Sequence, residues 1–111
     1  MALSLLLSSL WGADVTGNWD AQVETSAGGG SPSFVLKQEG EKLTGSYAGA
    51  LGEAKVTGTV KGDAIEFSFE VSPQGEKVMV VYKGTVKGPK AMAGTVVIEN
   101  FGDGTWTAVK R

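Results

Sequence analysis

Residues 65–71 read Ile65-Glu66-Phe67-Ser68-Phe69-Glu70-Val71, apolar and polar in strict alternation. Successive side chains of an extended chain point to opposite faces, so Ile65, Phe67, Phe69 and Val71 share one side and Glu66, Ser68 and Glu70 the other. Nothing here repeats at helical spacing, and the pattern predicts a strand with one face in a core and one in water. Gly62-Asp63 just before it is a tight hairpin signal, and Pro73 to Glu76 turn the chain just after it.

The same period runs outward in both directions. Toward the C-terminus, Val78, Val80, Tyr82, Gly84 and Val86 line one face of a strand that Gly88-Pro89 ends, because Pro donates no ladder hydrogen bond. Met92, Gly94, Val96 and Ile98 follow on another strand, Asn100 to Gly104 turn, and Trp106 and Ala108 lie on the last. Toward the N-terminus come Val56, Gly58 and Val60, then the turn Gly49 to Glu53, then Leu43, Gly45 and Tyr47. Glu39-Gly40-Glu41 turns back to Phe34, Leu36 and Gln38, and a first strand over Gly17 to Thr25 carries Trp19, Ala21 and Val23. The intervening Gly28-Gly29-Gly30-Ser31-Pro32 is expected to be a flexible loop. Eight strands with short links and no crossover helix must be antiparallel neighbours. The expected fold is all-β, an eight-stranded antiparallel up-and-down (meander) barrel, since closure removes the exposed edges of a two-sheet stack.

Composition limits the chemistry. The 111 residues include 17 Gly but no His and no Cys, which leaves no disulfide, thiol nucleophile, imidazole base or common zinc ligand set. Ten basic against twelve acidic residues give a net charge of −2, without the basic face that nucleic acid requires. Residues 1–13 differ from the rest: MALSLLLSSLWGA is apolar, uncharged and too short to span a bilayer as a helix. It is expected to be a signal peptide cleaved after Ala13, or else a retained apolar helix, ahead of a single domain over 14–111. A secreted or periplasmic protein is the expectation.

Four strands repeat the pattern apolar-x-Gly-Ser/Thr-apolar, around Gly45, Gly58, Gly84 and Gly94. Alternation points all four inward, where Gly is destabilising by about 0.5–1 kcal/mol relative to Ala. Either they relieve crowding and let a small barrel coil, or they leave interior room for a ligand; an eight-stranded barrel is of the size that does either.

The interior offers few polar groups. Asp20, Glu24, Glu66, Glu70 and Glu99 fall on the outer phase among lysines, which leaves Gln38, Tyr47 and Tyr82 inside with the aromatic surfaces of Trp19, Phe34, Phe67, Phe69 and Trp106. A buried phenol needs a partner. Tyr47, Tyr82, Gln38, Trp106, Phe67, Phe69 and Trp19 are therefore the expected ligand-binding residues, with no catalytic residue, metal or cofactor assigned. Gly28 to Gly30 lacks the Lys-Ser/Thr and helix of a phosphate loop, and the turn Glu99 to Gly104 lacks the spacing of a calcium loop. The leading expectation is a barrel that binds a hydrophobic or amphipathic small molecule. The alternative is a non-catalytic interaction or oligomerisation module pairing through outward Met79, Val81 and Val97 or through the N-terminal segment, and a small enzyme using a Tyr or a carboxylate ranks third.

Gly17-Asn18-Trp19 on the first strand and Lys110-Arg111 at the end of the last resemble the Gly-x-Trp motif and closing Arg of the calycin superfamily. That resemblance implies a basic side chain covering Trp19 at the closed end. The hairpin Gly40-x-x-Leu43-Thr44-Gly45-Ser46-Tyr47 is similar to one in avidins, and Asp14 to Arg111 as a whole resembles small secreted bacterial lipocalin-like domains of unassigned function, which also occur appended to amidohydrolase-type enzymes. Tyr47 matches a biotin-binding donor of avidins, but Ala21 and Gly49 stand where that family has an Asn and a Ser. Two polar partners of the ureido group are missing, at about 1–3 kcal/mol each, so the resemblance carries over the barrel and not biotin.

Overall fold

A computed structural model describes residues 14–26 and 28–111; the expectations for residues 1–13 lie outside these. The strands are β1 (Gly17–Thr25), β2 (Gly28–Gly30), β3 (Ser33–Glu39), β4 (Lys42–Gly49), β5 (Gly52–Lys61), β6 (Ala64–Val71), β7 (Val78–Val86), β8 (Ala91–Ile98) and β9 (Gly102–Lys110). Each of β3 to β8 pairs antiparallel with the next, β1 pairs with β3, and β1 also pairs with β9, which closes the sheet into a barrel.

The nine segments make eight staves. Trp19 lies opposite Phe34 and Val23 opposite Gly30, so four residues along β1 match four along the partner and the register never slips. β2 and β3 are one stave, marked off by Pro32, whose carbonyl accepts a hydrogen bond from the Ala21 N–H at 2.9 Å but which has no N–H to return. Of the loop expected over Gly28 to Pro32, Gly28, Gly29 and Gly30 are instead a strand, paired with Thr25, Glu24 and Val23. Turn-like composition misleads here because β1 supplies the ladder that three glycines cannot specify themselves.

The strands tilt as they close. The ladder partners Thr25, Gly104, Val96, Tyr82, Phe67, Gly58, Leu43 and Gln38 run once around the wall. The β1–β3 register then places Gln38 opposite position 15, and 25 − 15 gives a stagger of ten residues. A stagger of that order accompanies strands inclined at roughly 35–45° to the barrel axis.

Alternation fills the inside. Trp19, Ala21, Val23, Phe34, Leu36, Leu43, Tyr47, Val56, Val60, Ile65, Phe67, Phe69, Val71, Val78, Val80, Tyr82, Val86, Met92, Val96, Trp106 and Ala108 form one buried cluster with Val15. Gly45, Gly58, Gly84 and Gly94 take the inward phase as expected, and Gly104 joins them. A Cβ on any of these five would overlap a backbone carbonyl of the adjacent strand, that of Val35, Glu66, Ala93, Lys83 or Glu24 respectively. They are the points where neighbouring backbones crowd in a strongly coiled wall, so of the two readings the crowding one describes these glycines. Gly84 and Gly94 also face each other and make room for Trp106, whose indole N–H is shared between the Lys83 carbonyl at 3.2 Å and the Thr95 carbonyl at 2.9 Å.

One end is plugged. Val15 is fully buried, its carbonyl accepts the Trp19 indole N–H at 2.8 Å, and its N–H donates to Gln38 Oε1 at 3.0 Å. The basic C-terminus acts differently from the expected cover. The Lys110 stem lies against Gly17, while Arg111 turns outward to the Asp20 carboxylate, with its Nη2 at 3.0 Å from Oδ1. Trp19 is instead covered from its own side of the chain by Val15, because the segment entering β1 folds back over the indole.

Candidate functional site

At the other end the core stops short of the rim and leaves a cavity of about 270 Å³. Its wall includes Val23 from β1, Gly28 to Gly30 from β2, the following Ser31-Pro32, Val80 from β7 and Ile98 from β8. The turns between β4 and β5 and between β8 and β9 add Ala50, Leu51 and Phe101, and Tyr47 and Tyr82 also line it. None of the lining residues carries a charge.

Glycine shapes one side of this space. Gly30 is in phase with inward Pro32 and Phe34, yet a Cβ on it would meet nothing within 4 Å. It thus differs from the five crowded glycines, and it is the position where a missing side chain leaves room. The β2 stave is also unpaired on its far edge: β1 is its partner, while the β3–β4 ladder ends with Ser33 opposite Ala48. Phe101 is brought to the rim by a turn in which its N–H donates to the Ile98 carbonyl at 2.9 Å and Asn100 takes a left-handed φ of 66°. The ring stays 44% exposed.

Aromatic rings underlie the cavity. Tyr47 stacks on Phe69 with centroids 4.1 Å apart, and Tyr82 stacks on Phe67 at 4.9 Å. Phe34 meets Tyr82 edge-on at 5.3 Å and Phe67 at 5.2 Å, and Trp106 meets Tyr82 at 5.3 Å. Such offset and edge contacts fix ring orientations beyond what area burial alone does.

The two phenols differ in their partners. The Tyr47 hydroxyl accepts the Leu51 N–H at 3.4 Å, which leaves its own hydrogen free to donate. Among the described residues no group hydrogen-bonds the Tyr82 hydroxyl, although the residue is only 3% exposed. No fully enclosed side-chain oxygen or nitrogen among these residues lacks a partner, so the Tyr82 oxygen is one that opens to the cavity it lines. Burial raises the pKa of both phenols above 10.0; for Tyr82 the neighbouring Tyr47 adds to the rise, and for Tyr47 the Leu51 N–H partly offsets it. Both are therefore neutral donors at ordinary pH and poor proton-transfer groups.

Of the seven expected binding residues, Tyr47 and Tyr82 line the cavity, while Phe67, Phe69 and Trp106 pack against them as its support. Gln38 and Trp19 belong to the plug at the opposite end, where Gln38 also donates to the Gly40 carbonyl at 2.9 Å. Leu51, Phe101, Pro32 and the Gly28–Gly30 strip were not expected at the site. A signal existed only for the last: a run of three glycines in a sequence whose other loops are closed by one or two.

No family model matches this chain, and no curated protein matches it. Among solved structures it is similar to a redesigned β-barrel, mFAP1, bound to DFHBI, with a TM-score of 0.64 at 14% identity over 87% of this chain and 94% of that one. At that identity the likeness is one of fold.

Proposed function

We propose that this barrel is a binding protein for a compact small molecule held in the cavity at its open end. The observation that carries the reading is Tyr82, a phenol set among aromatic rings with its hydroxyl unpartnered beneath about 270 Å³ of apolar-walled space. A hydroxyl that opens to the cavity and is bonded to no protein group is ready to donate to a bound acceptor, a hydrogen bond worth about 0.5–1.5 kcal/mol net. The volume is near the lower end of the usual range for small-molecule pockets. That a barrel of the same fold is bound to DFHBI supports the reading, as does the Gly17-Asn18-Trp19 motif, which resembles that of the calycin superfamily. The apolar opening segment supports an exported protein.

A thermal-shift screen of small aromatic and aliphatic compounds on the intact chain and on Gly30→Leu tests the proposal. A ligand at about 100 times its Kd raises the midpoint of a domain this size by roughly 10 °C or more. The leucine grows into the cavity and is expected to abolish that rise. A screen with no hit on the intact chain, or hits that Gly30→Leu leaves unchanged, overturns it.

A second reading rests on the outer face of β7 and β8, where Val81 lies opposite Val97 and both Met79 and Val97 are exposed. An interaction module using this face would self-associate, and Val97→Lys would abolish the association seen by light scattering. A chain that is monomeric with and without the substitution counts against this reading.

A further inference from the structure

We propose that the ligand is a neutral, flat aromatic molecule of two or three fused rings bearing an oxygen acceptor that points down to Tyr82. This rests on the binding function proposed above and names its chemical class. Charge is the first discriminator. The lining runs through Val23, the glycine strip, Pro32, Leu51, Val80 and Ile98 without an ionised group, so a carboxylate or ammonium brought inside loses its hydration and gains no counter-charge.

Depth is the second. Below Tyr47 and Tyr82 the barrel is filled by Phe34, Phe67 and Trp106, and an extended acyl chain has nowhere to run. The cavity holds the equivalent of about nine waters at roughly 30 Å³ each, which suits a short, broad body. Its shape agrees. The Gly28–Gly30 strip presents a wall without side chains, and Phe101 stands exposed at the rim, able to lie against a second ring.

Polarity sets the orientation. Tyr47 has its acceptor role taken by the Leu51 N–H, and Tyr82 has no partner, so together they present two hydroxyl hydrogens to whatever sits above them. A ligand that accepts satisfies both groups. A hydrocarbon of the same size fills the space and leaves the Tyr82 hydroxyl unpaired.

Coumarin and naphthalene, fused bicyclic molecules with and without a carbonyl, separate these cases by calorimetric titration of the full chain and of Tyr82→Phe. Coumarin is expected to bind the intact chain about threefold to tenfold more tightly than naphthalene, the effect of one neutral hydrogen bond. In Tyr82→Phe that preference shrinks to what the Tyr47 hydroxyl alone gives, with naphthalene affinity unchanged and the melting temperature kept, because the Tyr82 hydroxyl makes no bond to the protein. Naphthoate, the charged counterpart, is expected to bind more weakly than either. Equal affinity for coumarin and naphthalene, a preference undiminished in Tyr82→Phe, or tighter binding of naphthoate overturns the assignment of class while leaving a binding barrel. Failure of all three probes overturns the class as well, and only the wider screen with its Gly30→Leu control then decides the function.

Discussion

Gly94 and Gly30 occupy inward positions on their strands, and a methyl group added to each meets opposite surroundings. On Gly94 it overlaps the Lys83 carbonyl; on Gly30 it enters open space. Gly94→Ala is expected to cost about 1–3 kcal/mol, as overpacking does, and Gly30→Ala to be neutral or to stabilise by up to about 1 kcal/mol through the stiffer unfolded chain. Denaturant unfolding of the two variants checks the contrast, and equal losses would mean that the wall at Gly30 is as crowded as the wall at Gly94. The repeat apolar-x-Gly-Ser/Thr-apolar made four crowded glycines legible in the sequence. Gly104 escaped it because Gly102 stands where the pattern wants an apolar residue, and Gly30 escaped because its neighbours read as a loop. What separates a glycine that yields to a neighbouring carbonyl from one that borders a void is how closely the next strand approaches, and that distance has no local signature.

The stave formed by β2 and β3 is the element on which the cavity depends. Antiparallel ladders alternate, so with the Ala21 N–H on Pro32, residues 28, 30 and 32 face β1, while the N–H groups of Gly29 and Ser31 point toward β4, whose ladder has already ended. Amide exchange is expected to be faster at Gly29 and Ser31 than at Gly30, and to slow at both when the cavity is occupied. Uniform protection along the strip in the empty protein would contradict this edge. Strand order, hairpin pairing and closure are all legible in the period of two, most clearly at Ile65 to Val71, where β-branched and aromatic residues alternate with polar ones. Pro32 was misread as a breaker. Its missing N–H removes one bond of the ladder and leaves the others in place.

Across the whole molecule, the buried phenols couple stability to pH in one direction. Both have folded pKa values raised above 10.0, so the folded chain holds their protons where the unfolded chain has begun to release them. Their contribution is complete below about pH 10 and is lost as pH rises beyond it. The melting temperature is expected to fall steeply above about pH 10, and Tyr82→Phe to flatten that fall; an unchanged alkaline profile in the variant would contradict the burial of the group. By contrast Arg111→Ala breaks an exposed pair with Asp20 and is expected to cost no more than about 1 kcal/mol by thermal unfolding. At this scale the sequence disclosed the interior but not its division. Tyr47 and Tyr82 could be named as buried phenols, whereas Phe101 shares their cavity only because closure of the barrel brings the turn between β8 and β9 to the same rim as Leu51. The plug at Val15 and Trp19 and the rim at Ala50, Leu51 and Phe101 use no residue in common. Selection, or a combinatorial library, can therefore rewrite those rim positions and reshape the cavity while the opposite end goes on specifying the barrel, so the shape of the open end and the ability to fold are inherited separately.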